Sequence, residues 1–135
     1  MQRKLQTRES GAALVEAALT LSLFLAIVFS LFDLGYIMFL HQTIASRVEA
    51  AARYGALNPT ETTGMQNYVL YNAATGSGPV IFGLTASNVS ATRSGAGTND
   101  DRVVVTVSGY TYPAISPGLS GHGKPITASM PVEAN

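Results

Sequence analysis

Cysteine and tryptophan are both absent from this chain of 135 residues. Without cysteine, neither a disulfide nor a thiolate metal site can form. Charge is scarce: charged residues make up 12%, and eight basic side chains balance eight acidic ones. A weakly charged, neutral chain lacks the basic footprint that nucleic acid requires, which excludes nucleic acid as a partner. His41 and His122 stand far apart in sequence with no clustered carboxylate beside either, so no metal-ligand spacing is present. Ser10, Ser22, Ser30 and Ser46 sit in no nucleophile motif, and no G-x-S-x-G occurs. These absences leave no catalytic, cofactor-binding or metal residue to nominate and no small-molecule substrate, and the chain reads as a non-enzyme. Proline is missing before Pro59, so nothing interrupts a helix across the first half of the chain.

What is present begins with an uneven layout of charge. Arg3, Lys4 and Arg8 precede a long apolar run and only Glu9 opposes them. From Ala12 to Leu40 the charged residues are Glu16 and Asp33 alone. At 1.5 Å per residue this stretch spans about 43 Å, more than the ~30 Å hydrocarbon layer of a bilayer. Leu19, Leu21, Leu23, Phe24, Leu25, Ile27, Val28, Phe29, Leu31 and Phe32 cover the whole helix circumference, a pattern that belongs in lipid or in a bundle interior. Ser10 is the expected N-cap. The positive-inside rule predicts a cytoplasmic N-terminus and an extracytoplasmic C-terminal region. A cleaved secretory signal is the competing reading, but its apolar core would be too long and no small-x-small site follows before Asp33.

Beyond Gly35 the helical pattern turns amphipathic. Gln42, Ser46, Glu49 and Arg53 form one stripe, and Ile37, Leu40, Ile44, Val48 and Ala51 form another. Glu49 and Arg53 have the favourable i,i+4 order for a local ion pair, which with Arg47 suggests a solvated face. Gly55 and Asn58-Pro59 predict the stop, for a helix of about 45 residues. Next come a short helix over Glu61 to Tyr71, capped by Thr62-Thr63, and a turn at Gly76 to Pro79. Strands are expected at Ala86 to Thr92, Arg102 to Tyr112 and Pro125 to Val132, with Ser94 to Asp101 as a hairpin loop and a Pro/Gly-rich connection from Pro113 to Pro125. Asp100-Asp101 raises the thought of calcium, although the EF-hand spacing is absent. The fold class expected is α+β, one long N-terminal helix followed by a small antiparallel β-rich region.

This arrangement resembles the type IV pilin-like proteins, and among them the TadE-like pilus assembly proteins of the tight-adherence (Flp) system. The residues that carry the resemblance are Arg8, Gly11, Ala12, Leu14, Val15-Glu16 and Ala18 with the leucine-rich run, then Asp33-Leu34-Gly35 and Ala51 to Ala56. Val103 to Val107, Tyr110 to Pro113 and Ile126 to Ser129 with Glu133 are similar to the family's closing strands. Two positions depart from the pattern: Ala17 stands where a bulky residue usually follows the glutamate, and Leu57 where a basic residue is common.

The resemblance implies a subunit that a prepilin peptidase cuts between Gly11 and Ala12, removing residues 1–11 as a basic leader. Residues 12–40 would then be the transmembrane half of the helix, 41–57 its exported half, and 58–135 the β-rich extracytoplasmic region. It implies assembly residues, Glu16 foremost and Asp33 a second candidate, and as partners the membrane, the peptidase, other pilin-like subunits and the pilus machinery. The location implied is the bacterial inner membrane, then a surface pilus. An uncleaved, signal-anchored envelope protein acting as a scaffold or binding module is the alternative.

Overall fold

The computed structural model describes residues 3–116 and 121–133, with side chains from Gly11 onward. The side chains of Arg3, Lys4, Arg8 and Glu9, and residues 117–120 of the Pro113–Pro125 connection, therefore lie outside what is described. Helix α1 runs unbroken from Arg3 to Leu57, 55 residues, or about 83 Å. It is longer than the sequence pattern predicts because the backbone stays helical through Ser10 and Gly11, so Ser10 is an internal helical position instead of the N-cap. One glycine costs a helix only about 1 kcal/mol, too little to stop one that good helix formers flank on both sides.

Its two halves live in different surroundings. Leu14, Leu19, Leu23, Phe24, Ile27, Leu31 and Phe32 are all exposed. From Leu40 onward one stripe goes under cover: Leu40, Ile44, Val48, Ala51, Ala52 and Ala56 are buried. Each large aliphatic side chain in this stripe stabilises the fold by about 1.5–3 kcal/mol.

Two elements cover the stripe. Helix α2, Thr62–Tyr71, packs Met65, Val69 and Leu70 onto it. A three-stranded antiparallel sheet closes the other side, built from β1 (Val89–Ser94), β2 (Arg102–Val107) and β5 (Ile126–Pro131) in the order β1-β2-β5. The central strand alternates strictly, with Val103, Val105 and Val107 fully buried and Thr106 facing outward to share a hydroxyl hydrogen bond with Thr127 at 2.9 Å. A second ribbon pairs β3 (Thr111–Tyr112) with β4 (Gly121–His122). The close approach requires small residues. A Cβ on Gly55 would stand 2.7 Å from the Met65 sulfur and 2.8 Å from a Val103 methyl.

Several local expectations are revised. The first three residues of the expected strand Ala86–Thr92 form a 3-10 turn, because the Asn88 side chain accepts from the Thr85 N–H at 2.9 Å. The expected strand Arg102–Tyr112 divides after Val107, where Gly109 takes a φ of +69°. Glu61, not Thr62-Thr63, occupies the cap position of α2, and no side chain caps it. The Glu61 carboxylate instead accepts the Tyr54 hydroxyl.

The β1–β2 hairpin forms as expected, with Ser94 opposite Arg102. Its two aspartates are not a free acidic pair. Arg93 donates to both oxygens of Asp101, at 2.8 and 2.5 Å, and Arg102 donates to Asp100. The loop is a charge-paired turn and offers no acidic cluster. The bonds from Arg93 hold the Asp101 carboxyl below its ordinary range.

Ile44→Ala is expected to lower the stability of the region packed on the C-terminal half of α1 by about 2–5 kcal/mol in denaturant titration, since Ile44 is 0% exposed. Leu23→Ala, on the exposed half, should leave that transition unmoved. The Asp101 contribution should be fully present above the ordinary aspartate value near 3.9 and be lost as pH falls through its depressed folded value. An acid titration followed by amide exchange of the hairpin should show this loss, and Asp101→Asn should abolish it.

Candidate functional site

Residues nominated from the sequence lie along α1. Gly11 and Ala12 are exposed and helical, and nothing lies within 4 Å of where a Gly11 Cβ would project. Glu16 is exposed on the same helix, one turn on. Its side chain borders a shallow groove with Ala13, Ala17, Thr20, Leu21 and Phe24. Ala17, the departure from the family pattern, forms part of that groove and leaves the flank of the carboxylate open.

Asp33 has a different setting. It is only 3% exposed, and its two oxygens accept the backbone N–H groups of Ile115 and Ser116 at 2.8 and 2.7 Å. It does not reach into water at the membrane boundary, which is the plain expectation for an isolated aspartate there. Asp33 precedes Leu40 by seven residues, so it lies on the stripe that buries Leu40, Ile44, Val48 and Ala51. The core stripe thus ends, on its membrane side, in a carboxylate. Two charge-assisted hydrogen bonds offset the cost of removing it from water. The structure does not bring Glu16 and Asp33 together: they stand seventeen helical residues apart, about 26 Å along the axis.

The polar residues of the solvated face expected around Arg47, Glu49 and Arg53 divide between two settings. Arg47 is not part of a solvated face. It donates to the carbonyls of Leu70 at 2.9 Å and Val69 at 3.4 Å, satisfying acceptors left over at the end of α2, where a cation is also favoured by the helix dipole. Glu49 and Arg53 do form the expected exposed pair, at 3.7 Å. His41 and His122 line one cleft together with Ile37, Met38, Tyr110, Tyr112 and Lys124. His41 Nδ1 shares a 3.4 Å hydrogen bond with the Tyr110 hydroxyl, and burial raises the pKa of that phenol. No group of three or more metal-ligating side chains occurs among the described residues.

The helix Gly11–Leu57 is long and apolar enough to cross a bilayer, and its apolar half is uncovered. With one such helix among the described residues and a small antiparallel sheet on its C-terminal half, the chain is a single-pass membrane protein of the α+β class. Comparison with protein families gives the closer relationship: the family described as TadE-like protein matches residues 11–53. The match begins at Gly11 and ends at Arg53, so the likeness to TadE-like proteins lies in helix α1. No curated protein and no solved structure matches the chain.

An Asp33→Asn substitution keeps one acceptor but turns an amide N–H toward a backbone N–H, which breaks one of the two bonds. Amide hydrogen exchange at Ile115 and Ser116 is expected to quicken by about tenfold or more, while Val105 in the central strand keeps its protection. Unchanged exchange at both amides would show that the carboxylate does not hold the loop.

Proposed function

We propose that this protein is a pilin-like subunit, of the minor pilin or pseudopilin kind, in a tight-adherence-type pilus. In this reading its N-terminus is cytoplasmic, its β-rich region lies outside the inner membrane, and a prepilin peptidase processes it after Gly11. The observation that carries the reading is the placement of Glu16, an exposed carboxylate at the start of an uncovered apolar helix, five residues beyond the glycine where the TadE-like match begins.

The chemistry links the two positions. Cutting the Gly11–Ala12 peptide leaves an ammonium on Ala12, and Glu16 becomes the fifth residue of the shortened chain. A carboxylate entering a packed helical bundle is costly unless a cation meets it. The ammonium of a neighbouring subunit provides that cation at one axial register, and a slipped register leaves both charges unpaired. Small residues beside Glu16, at Ala13, Ala17 and Thr20, let a second helix approach closely. The apolar surface from Leu14 to Phe32 then supplies packing area, and Glu16 supplies alignment.

The helical setting of Gly11 bears on the processing step. A peptide bond inside a helix must be unwound before a protease can hold it in extended form. Glycine weakens the helix by about 1 kcal/mol relative to alanine and offers a backbone without a Cβ, which favours opening there over neighbouring positions.

N-terminal sequencing of the protein from membranes of cells that hold the cognate peptidase is expected to begin at Ala12. An intact Met1 in those cells would favour the uncleaved, signal-anchored scaffold instead. Glu16→Ala should insert into membranes normally but fail to enter sheared pilus fractions. Incorporation at the normal level would remove Glu16 from the assembly mechanism.

A further inference from the structure

Outside the apolar half of α1, three large hydrophobic side chains are exposed among the described residues: Leu57, Val80 and Ile115. Two of them belong to loops that descend to the same level of the helix. The loop carrying Ile115 is tied to Asp33 through the Ile115 and Ser116 amides. The loop carrying Val80 places Phe82 edge-on against Tyr36 and Phe39, with ring centroids 6.3 and 6.0 Å apart. Phe82 and Pro113 also border a common cleft, so the two loops are neighbours.

That level coincides with a physical boundary. Residues 12–32 are twenty-one in number, with Glu16 as their one charge. They span about 32 Å as a helix, close to the ~30 Å hydrocarbon thickness. Asp33 therefore falls where hydrocarbon gives way to headgroups, and the loops held at positions 33–39 lie in the headgroup layer.

We propose that loops 79–83 and 113–116 form a lipid-binding foot, which seats the extracytoplasmic region on the bilayer that α1 crosses. The proposal rests on the membrane-spanning reading of α1. Ile115, 73% exposed between Ala114 and Ser116, enters the boundary between acyl chains and headgroups, and Val80 enters beside it. Tyr36, Phe39 and Phe82 make a local aromatic belt, the side-chain type enriched at membrane interfaces. Lys124 and His122, on the cleft beside Met38 and Tyr112, stand at the headgroup level as donors for lipid phosphate.

Two further observations favour lipid as the occupant. Phe82 adopts a left-handed backbone, φ +50°, which is unusual for a bulky residue. That conformation turns its ring onto Tyr36 and Phe39. The patch is also continuous with the exposed apolar surface of α1, at Leu31, Phe32 and Leu34, so the solvent that covers one meets the other. A helix with such a foot has its rotation and tilt fixed by the bilayer surface, where a bare helix would be free to turn.

The absence of native tryptophan makes a direct test available. The full chain carrying Ile115→Trp is reconstituted at high dilution in phosphatidylcholine–phosphatidylglycerol vesicles, with bromine either high on the acyl chain or near its end. Leu23→Trp marks the bilayer interior. Thr98→Trp marks the far end of the sheet, where Val132 donates to Asp101 and Glu133 donates to Ala56. The expected result is a blue-shifted Ile115→Trp indole quenched most by the high-bromine lipid, a Leu23→Trp indole quenched most by the chain-end bromine, and an unquenched Thr98→Trp indole. Val80→Trp should repeat the Ile115→Trp result. If Leu23→Trp is quenched and both loop variants are not, the foot is disproved while the spanning helix stands. Blue-shifted but unquenched loop variants would mean that a second copy covers the patch, which also overturns the proposal. An unquenched Leu23→Trp would remove the spanning reading and the foot with it.

Discussion

The structure depends on one buried helical stripe. Helix α1 has no break, so each residue's direction is fixed relative to every other along some 80 Å. Asp33, Leu40, Ile44, Val48 and Ala51 consequently lie on one line, and the rest of the fold is built on that line. The remaining chain is short, and its sheet has three strands of six residues. Such a sheet lacks the area to form a stable core alone and needs another apolar surface. The helix provides it, with Ala51, Ala52 and Gly55 keeping the surface low enough for Met65 and Val103 to reach it.

The acidic residues show how the same chemical group is accommodated in different surroundings. Asp100 and Asp101 lie in an exposed loop and take arginine partners from the adjoining strands. Asp33, at the dry end of the stripe, accepts two backbone amides from the C-terminal loop. Glu16 stands on a helix face built for apolar surroundings. In the assembly reading its counter-charge is created by processing and belongs to another subunit. A charge that is solvated, or paired within its own chain, carries no information for a neighbour. One that is costly until paired can select a register.

These features order the molecule along its axis. Exposed apolar side chains continue along α1 as far as Phe39, while on the opposite face Asp33 is already held by the C-terminal region. The change from an uncovered to a covered helix therefore spreads over about two turns, from Asp33 to Leu40. The aromatic contacts of Phe82 and the amides of Ile115 and Ser116 meet the helix within that stretch. The far end of the helix is finished by the chain itself, where the Glu133 N–H donates to the Ala56 carbonyl at 3.2 Å. Both ends of the folded region are thus closed by backbone N–H groups from the last third of the sequence, which donate to the Asp33 carboxylate at one end and to the Ala56 carbonyl at the other.

Much of this was legible in the residues alone. Unbroken apolar periodicity determined α1 and its uncovered length, and the switch to an amphipathic pattern beyond Gly35 determined where covering would begin. Alternation in Val103 to Val107 determined β2, and the Gly/Thr/Asn loop before it determined the hairpin. These are properties of short windows, and the forces behind them act between near neighbours. Only the tertiary structure decided what meets across long separations. That β5 pairs with the far side of β2, that Arg47 closes the end of α2, and that His41 meets Tyr110 could not be read from spacing. Asp33 is the plainest case. Its partners are 82 and 83 residues away and are backbone N–H groups, which every residue except proline carries, so no residue type marks them in the sequence. Local pattern determined which residues needed burial or pairing, and the return path of the chain decided what answered the need.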